Sequence, residues 1–275
     1  MRAGLDQLRS YAPDPGVRAI SVTRYLTPLK EGGSLPAIVE GDDLGTYVLK
    51  FRGAGQGPKA LVAELIAGEI ARELGLPMPE IVFAELDPIL ARSEPDPEIQ
   101  SLLRASAGLN LALDYLPGSF AYEPGTSFRP QPDLASAIVW LDAFMTNVDR
   151  TVRNTNLLLW HGHLWLIDNG AALYFHHTWS DYLERARTPF PAIRDHVLLP
   201  YASQLEDMAT LMTSRLADEA LEHITRLIPD AWLAGPSPFA SATEQRGAYL
   251  EYLRARLAAS DIFTREAGLA RSQVI

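Results

Sequence analysis

The sequence predicts an α+β fold in two lobes, a small strand-rich N-terminal lobe followed by a mostly helical C-terminal lobe. Three observations predict it. β-Rich segments and turns dominate before Pro58, a Pro- and Gly-rich stretch occupies residues 117–132, and helical periodicity dominates afterwards. Strands and helices that are segregated along a chain are typical of α+β architectures. We therefore expect an N-terminal lobe at residues 1–116 and a C-terminal lobe at residues 117–275.

Five strands and one helix are expected in the N-terminal lobe. Runs of β-branched and aromatic residues bounded by turn residues predict strands at residues 18–26, 35–40, 46–51, 81–86 and 109–115. In the third strand, side-chain alternation places Leu49 and Lys50 on opposite faces. Residues 61–74 carry apolar side chains at helical spacing. Pro58 suits the first helical position and Gly75 ends the helix.

The C-terminal lobe is predicted to be helical apart from one β-hairpin. Asp133 is expected to cap a helix whose apolar stripe runs from Leu134 to Met145. Two apolar runs flank His161-Gly-His163, which predicts a hairpin with its turn at these residues. An irregular segment and then two helical patterns are expected at residues 171–200, 203–228 and 242–259.

The composition narrows the classes of function. The 275 residues carry a net charge of −10, whereas proteins that bind nucleic-acid phosphates usually present a basic surface, so we expect no nucleic-acid partner. The absence of cysteine excludes disulfides, zinc–thiolate sites and cysteine nucleophiles, and it suits a cytoplasmic protein. The most apolar window, residues 135–145, is short and interrupted by Asp142, so no membrane association is expected.

Three polar residues flank the predicted hairpin. Asp149 and Asn154 precede it, and Asp168 follows it. Because the entry and exit of a hairpin are neighbours, Asn154 and Asp168 should face one another across its open end. A carboxylate and an amide oxygen at such a point form a pocket that suits Mg²⁺, and a second carboxylate would orient an attacking hydroxyl. This is the layout that phosphoryl transfer requires.

The residues around these three positions resemble a known family. The stretches NVDRTVRNTN (147–156) and LWLIDNGAALYF (164–175) are similar to the HipA-like kinase family, in its short single-chain branch. The phosphatidylinositol kinases share this two-lobed, protein-kinase-like fold. The resemblance covers nearly the whole chain. It departs at Asn169, where a phenylalanine is usual, and this argues against the aromatic switch of eukaryotic protein kinases.

The resemblance implies roles for the three residues and for the N-terminal lobe. Asp149 would be the catalytic aspartate, and Asn154 and Asp168 would hold Mg²⁺ that bridges the ATP phosphates. Lys50 would contact the α- and β-phosphates. Glu64 would be its helix partner, with Glu69 as the competitor. Further ATP-binding residues would be Gly32, Gly33 and Ser34 over the phosphates, and Asp114, Tyr115 and Leu116 beside adenine.

The implied function is ATP- and Mg²⁺-dependent transfer of a phosphoryl group to a hydroxyl. The resemblance favours a serine or threonine of a protein as the acceptor. One alternative is a lipid or small-molecule acceptor, and another is a catalytically silent nucleotide-binding module. A regulatory protein partner stays open. Phosphorylation of Ser34 would place charge where the ATP phosphates sit and would switch the enzyme off.

Two groups of residues in this region keep alternative interpretations. Structural roles are favoured over substrate or metal contacts for His161, His163, His176, His177 and His196. Arg150 and Arg153 would either bind phosphate oxygens or brace the loop that carries Asp149, and the sequence favours neither.

Overall fold

The computed structural model describes residues 16–29, 35–55, 57–92 and 94–274. The residues expected to cover the phosphates, Gly32, Gly33 and Ser34, lie outside the described residues. The proposed modification of Ser34 therefore stays a prediction from sequence.

Five strands form a closed barrel in the N-terminal half. They are β1 (Arg18–Pro28), β2 (Ala37–Gly41), β3 (Thr46–Lys50), β4 (Ile81–Leu86) and β5 (Gly108–Asp114). The neighbour order is β1-β2-β3-β5-β4, and β1 closes the barrel by pairing in parallel with β4, while the other pairs are antiparallel. Tyr47 and Leu49 of β3 are buried, and Lys50 lies on the opposite face, as the alternation predicts.

Helices dominate the second half of the chain. The described α-helices are α1 (Pro58–Glu73), α2 (Pro97–Ala105), α3 (Pro132–Met145), α4 (Tyr182–Arg185), α5 (Leu205–Arg215), α6 (Asp218–Arg226), α7 (Asp230–Leu233), α8 (Ala242–Ala258) and α9 (Ser260–Ser272). A small sheet accompanies them, made of β6 (Phe120–Ala121), β7 (Leu157–Trp160) and β8 (His163–Leu166). The predicted α+β class is confirmed. None of the described helices is long and apolar enough to cross a bilayer.

Helix α1 lies between the barrel and the helical half. Every residue from Leu61 to Ala71 is buried, and a helix that is covered on all sides belongs to a protein interior. It contacts β4 and β5 on one side and α6 and α7 on the other. Its apolar residues join the same hydrophobic cluster as those of α3, β7 and β8, whereas the barrel interior forms a second cluster. Helix α1 is therefore fixed by both halves of the molecule.

Hydrogen bonds also join the two halves directly. The backbone N–H of Leu166 in β8 donates to the carbonyl of Pro77 at 2.8 Å. The indole N–H of Trp232 in α7 donates to the carbonyl of Leu109 in β5 at 3.0 Å. The ring of Trp232 also meets Phe83 of β4 edge-on, with centroids 5.6 Å apart. These contacts hold the barrel against the helical half.

The hairpin is confirmed. Strands β7 and β8 pair antiparallel, with Trp160 opposite His163. The two turn residues, His161 and Gly162, both have positive φ, 48° and 76°. Positive φ at both central residues is the geometry of the hairpin turn that best matches strand twist. His161 and His163 are exposed at the turn, which is where the sequence predicts them.

Two helices longer than one turn, α2 and α9, are missing from the sequence expectations, as are the short helices α4 and α7. Helix α2 follows a segment whose proline and acidic residues are typical of a loop. In the structure Asp96 caps this helix by accepting the N–H of Glu98 at 2.8 Å, and Pro97 takes the first helical position. Helix α9 begins directly after α8, so the end of one helical pattern hides the start of the next.

Other boundaries are corrected. The predicted cap at Asp133 is wrong, because the helix begins at Pro132 and Gln131 occupies the cap position. Proline suits the first helical position, and Asp133 lies in the first turn, where a negative charge is favourable. The pattern at 203–228 is two helices, α5 and α6. The irregular segment at 171–200 contains α4 and three short 3₁₀ turns, at Tyr174–His177, Pro191–Asp195 and Leu199–Tyr201.

His176 makes the stability of the fold depend on pH. Its side chain is fully buried, with Nδ1 3.1 Å from the hydroxyl of Tyr249, and Nε2 has no partner among the described residues. Burial lowers the pKa of His176 well below its usual value, so the fold favours the neutral ring. The unfolded chain takes up this proton near pH 6.5, and stability must fall below that pH.

We expect the free energy of unfolding to decrease by up to about 1.4 kcal/mol per pH unit below about pH 6.5 through His176 alone. His176→Phe should remove that share of the slope. The matched control is His163→Phe at the exposed hairpin turn. Urea unfolding at several pH values checks this, and equal slopes for wild type and His176→Phe would contradict it.

Candidate active site

A lysine between two carboxylates lies where the barrel meets the helical half. Lys50 is the last residue of β3, and its Nζ donates to Oε2 of Glu64 and to Oδ1 of Asp168, each at 2.6 Å. Glu64 comes from the middle of α1, and Asp168 follows β8. Glu64 is fully buried, whereas the side chain of Asp168 is 41% exposed. The three groups therefore join three elements, and the Asp168 carboxylate stays accessible from outside.

Glu69 is placed elsewhere. Its carboxylate pairs with Arg72 on the same helix at 2.7 Å. Between the two glutamates that the sequence leaves in competition, Glu64 is the one that contacts Lys50. Sequence spacing alone does not decide which glutamate pairs with Lys50. The helix is buried on all sides, so no face of it is marked in the sequence as the one that meets β3.

The charges of this cluster follow from its contacts. The Lys50 ammonium holds the pKa of Asp168 below its usual value, so this carboxylate is ionised at neutral pH. Burial pulls the pKa of Lys50 down, but the carboxylates of Glu64 and Asp168 outweigh it and raise that pKa overall. Burial raises the pKa of Glu64, while Lys50 opposes the shift. A permanent cation therefore faces the accessible Asp168.

Asn169 connects this cluster to the loop between α3 and β7. Its backbone N–H donates to Oε2 of Glu64 at 2.8 Å, and its side-chain Oδ1 accepts from Nη2 of Arg150 at 2.7 Å. The Asn169 side chain is buried and also meets the sulfur of Met78 at 3.7 Å. An amide thus occupies the position where the resemblance leads one to expect an aromatic ring. Its hydrogen bonds fix the backbone beside Asp168.

Arg150 is the centre of the α3–β7 loop (residues 146–156). The side chain is buried, and all five of its N–H groups donate. Two go to the carboxylate of Asp142, at 2.6 and 3.5 Å, and one to Asn169. The remaining two go to the carbonyls of Asn156 and Ile167, the latter at 3.1 Å. Arg150 therefore braces the loop. Of the two interpretations that the sequence leaves open for this residue, the contacts favour bracing over phosphate binding.

Asp142 is the buried carboxylate that pairs with Arg150. It is buried in α3 and accepts from Asn147 at 3.0 Å and from Nε2 of His196 at 2.9 Å. Because the N–H of Leu198 donates to Nδ1 of His196, the ring proton sits on Nε2. Burial lowers the pKa of His196, which keeps the ring neutral. Burial would raise the pKa of Asp142, but Arg150 and His196 outweigh it, so the carboxylate is ionised.

Asp149 projects from this braced loop. Its backbone N–H donates to Oδ1 of Asn147 at 3.1 Å, and its Oδ2 accepts from Nδ2 of Asn154 at 2.8 Å. Asn156 donates to the same Oδ2 at 3.3 Å and to the carbonyl of Asp168 at 3.4 Å. Asn156 therefore lies between Asp149 and Asp168 and brings the predicted acids into one cluster.

The donor set suits a hard divalent cation. The amide N–H₂ of Asn154 points to Asp149, and no residue in the described part of the chain donates to its Oδ1, so this oxygen is available to a metal. Asp168 supplies an ionised carboxylate. Among the described residues, no group of three or more His, Cys, Asp or Glu side chains could hold a metal by itself. Mg²⁺ commonly takes one or two protein oxygens, with substrate phosphates and water completing its shell. The residues present fit such a site and do not fit a closed metal cage.

The residues expected beside adenine are the last residue of β5 and the two that follow it. The N–H of Asp114 donates to Glu80 at 2.9 Å, and that of Tyr115 to Thr46 at 3.0 Å. The carbonyl of Leu116 accepts the N–H of Ser119 at 3.2 Å, but its own N–H meets no partner in the described part of the chain. A free backbone donor thus remains at the end of β5.

Several residues of the cluster escape the sequence analysis. Asp142, Asn147 and Asn156 each bond to a predicted residue, and none was identified from its pattern. Asparagine and aspartate are common in turns, so these positions look ordinary in sequence. Asn156 and Asp168 share one unusual feature, a positive φ of 47° and 55°. This feature is visible only in the structure, so it could not have marked Asn156 in the sequence.

Comparison with known proteins identifies the family. The sequence profile described as HipA-like kinase matches residues 22–262. The chain belongs to the HipA-like kinase family. The resemblance drawn from its motifs is thereby confirmed, and the chain is a kinase. Among curated proteins, none matches it.

Solved kinase structures are similar to this HipA-like kinase. The Helicobacter pylori proinflammatory kinase CtkA has a TM-score of 0.53 at 13% identity, and the match covers 93% of this chain and 98% of that chain. A Golgi casein kinase with Mn/ADP bound has a TM-score of 0.46 at 12% identity, with 95% and 76% covered. The similarity to CtkA shows a shared kinase fold.

Replacing Asn169 should lower the stability of the fold more than replacing an ordinary polar residue, because its side chain hydrogen-bonds two buried charged groups. In Asn169→Leu, Arg150 loses an acceptor and Oε1 of Glu64 loses the Asn169 amide as a donor, while the bond from Lys50 to Glu64 remains. We expect the free energy of unfolding to fall by about 1–3 kcal/mol. Urea unfolding checks this against Gln273→Leu, an exposed amide that should stay within about 0.5 kcal/mol of wild type. Equal stability of the two variants would show that the bridge contributes nothing.

Proposed function

We propose that this kinase transfers the γ-phosphoryl group of ATP, with Mg²⁺, to a serine or threonine hydroxyl of a protein. The observation that carries the proposal is the Lys50 ammonium held at 2.6 Å from both Glu64 and Asp168. Phosphoryl transfer depends on positioning and charge neutralisation more than on covalent chemistry by the protein. A fixed cation next to an accessible, ionised carboxylate supplies both.

Lys50 is proposed to bind the α- and β-phosphates. Its ammonium stays charged, and the buried Glu64 prevents it from turning away. Because Glu64 itself receives the N–H of Asn169, the orientation of Lys50 is coupled to the backbone that carries Asp168. Binding of the phosphates and placement of the metal ligand are therefore set by one hydrogen-bonded unit.

Asn154 and Asp168 are proposed to hold Mg²⁺. When bound, the ion would neutralise the negative charge that develops on the phosphates during transfer. The protein's part is to keep two oxygens in place. Asn154 is oriented by its N–H₂ bond to Asp149, and Asp168 by Lys50.

Asp149 is proposed to orient the acceptor hydroxyl and take its proton. The bond from the hydroxyl oxygen to the γ-phosphorus forms as the bond from that phosphorus to the β,γ-bridging oxygen breaks, and ADP leaves. The bonds from Asn154 and Asn156 occupy Oδ2 of Asp149, and no described residue donates to Oδ1. One carboxylate oxygen is thus available to the hydroxyl.

The remaining proposals concern adenine binding, the boundaries of the two lobes and the location of the protein. The free N–H of Leu116 is proposed to donate to adenine, with Asp114 and Tyr115 beside it. Residues 1–116 are proposed to form the N-terminal lobe and residues 117–275 the C-terminal lobe. A cytoplasmic location is proposed, because a chain without cysteine suits a reducing compartment.

Asp149→Asn tests transfer separately from binding. The variant keeps the size of the side chain but removes the proton acceptor, so kcat should fall by about 10²–10⁴-fold. The Kd for ATP with Mg²⁺ should stay within about twofold, because Lys50 and Asp168 make no hydrogen bond to Asp149 and the amide oxygen of the substituted side chain can still accept from Asn154. Quenched-flow measurement of ADP formation with a mixture of serine and threonine peptides, together with calorimetry, checks both.

Two results would contradict the proposal. Unchanged turnover in Asp149→Asn would remove Asp149 from the reaction. ATP binding without any transfer by the wild type would favour the nucleotide-binding module instead.

A further inference from the structure

The loop that carries Asp149 holds two arginines with opposite environments. Arg150 is buried and uses all five N–H groups. Arg153 is exposed and has no hydrogen bond or ion pair with any described residue. It lies immediately before Asn154, in a chain with a net charge of −10. Arg153 is therefore available to an anionic group from outside the chain, on the same loop as the proposed catalytic aspartate.

A cavity of about 650 Å³ opens beside Arg153. One wall is the loop segment Thr151, Val152 and Arg153, and the other is the segment 194–200, with Val274 at the edge. The volume is in the range that accommodates a small ligand or a few side chains. The wall is partly apolar, since Val152 is 65% exposed and Pro200 and Val197 also line it.

The two walls are fixed to one another. Thr151 forms a β-bridge with His196, and the N–H of Val197 donates to the carbonyl of Arg150 at 3.1 Å. His196 is anchored in turn by its bond to Asp142. The cavity is therefore built onto the same braced loop as Asp149, and a segment bound in it has a fixed position relative to that carboxylate.

The charges at the rim favour an acidic ligand. Arg153 stands on one wall and Arg194 on the other. Arg194 has Asp195 at 3.7 Å, but both side chains are about two-thirds exposed, so this pair is weak. Arg153 has no such competitor. A carboxylate that enters the cavity meets one free arginine and one loosely paired arginine.

We propose that this cavity is the acceptor subsite and that it selects a serine or threonine segment with glutamate or aspartate next to the hydroxyl residue. The inference rests on the proposed function. The acidic side chain pairs with Arg153, its aliphatic stem lies on Val152 and Val197, and the hydroxyl is directed to Asp149. Arg153 thus determines specificity and takes no part in the transfer of the phosphoryl group itself.

Synthetic peptides test the charge preference directly. Each contains one serine flanked by glutamates, by glutamines or by lysines, and kcat/KM is measured at saturating ATP and Mg²⁺. We expect the wild type to favour the glutamate peptide over the lysine peptide by about tenfold or more. Arg153→Gln should equalise the peptides, and Arg153→Glu should reverse their order. Raising the salt from about 50 mM to about 500 mM should reduce the wild-type preference.

Arg104→Glu is the matched control. Arg104 is an exposed arginine on α2 in the N-terminal half, so the variant changes the net charge equally and should keep the wild-type order. Equal rates for all peptides, or equal loss on all of them in Arg153→Glu, would overturn the subsite. Transfer to none of the peptides, or failure of the wild type to bind ATP, would instead overturn the proposed function on which it rests.

Discussion

The buried carboxylate of Glu64 is the constraint on which the rest of the site depends. It accepts from Lys50 of the barrel and from the backbone of Asn169 beyond the hairpin, and it belongs to a helix fixed by both halves of the molecule. A buried charge is tolerated only when it is paired and hydrogen-bonded, and removal of one partner of such a group typically costs about 3–5 kcal/mol. The fold therefore keeps these three elements in register, and this register places Asp168 beside Lys50.

A second buried ion pair fixes the position of Asp149. Arg150 and Asp142 neutralise one another inside the helical half, and the neutral ring of His196 completes the arrangement. Asn169 joins this pair to Glu64, so one chain of hydrogen bonds runs from His196 to Lys50. An aromatic ring at position 169 would contribute packing but none of these directed bonds. The protein thus has a fixed polar connection where the aromatic switch of eukaryotic protein kinases would lie.

Local patterns predict much of this structure and miss the connections that are made in space. The hairpin was predictable because its turn residues and alternating strands are a local signal, and Lys50 was identified because it lies in a predicted strand at the position where the family resemblance implies a lysine. The partner of Lys50 was not decided by spacing, because both glutamates lie on a helix buried on all sides. Asn156 and Asp142 gain their importance only from residues distant in sequence. Helix α2 was obscured because the proline and aspartate that begin it are equally typical of loops.

The central claim is that the contact between Lys50 and Glu64 assembles a nucleotide cleft, and calorimetric titration of ATP with Mg²⁺ into Glu64→Gln tests it most directly. Glu69→Gln is the matched control, because it makes the same change on the same helix in a carboxylate paired with Arg72. A charged hydrogen bond worth about 1.5–3 kcal/mol predicts a Kd weakened by roughly 10- to 100-fold in Glu64→Gln and little change in the control. Equal affinity of the two variants would contradict the account.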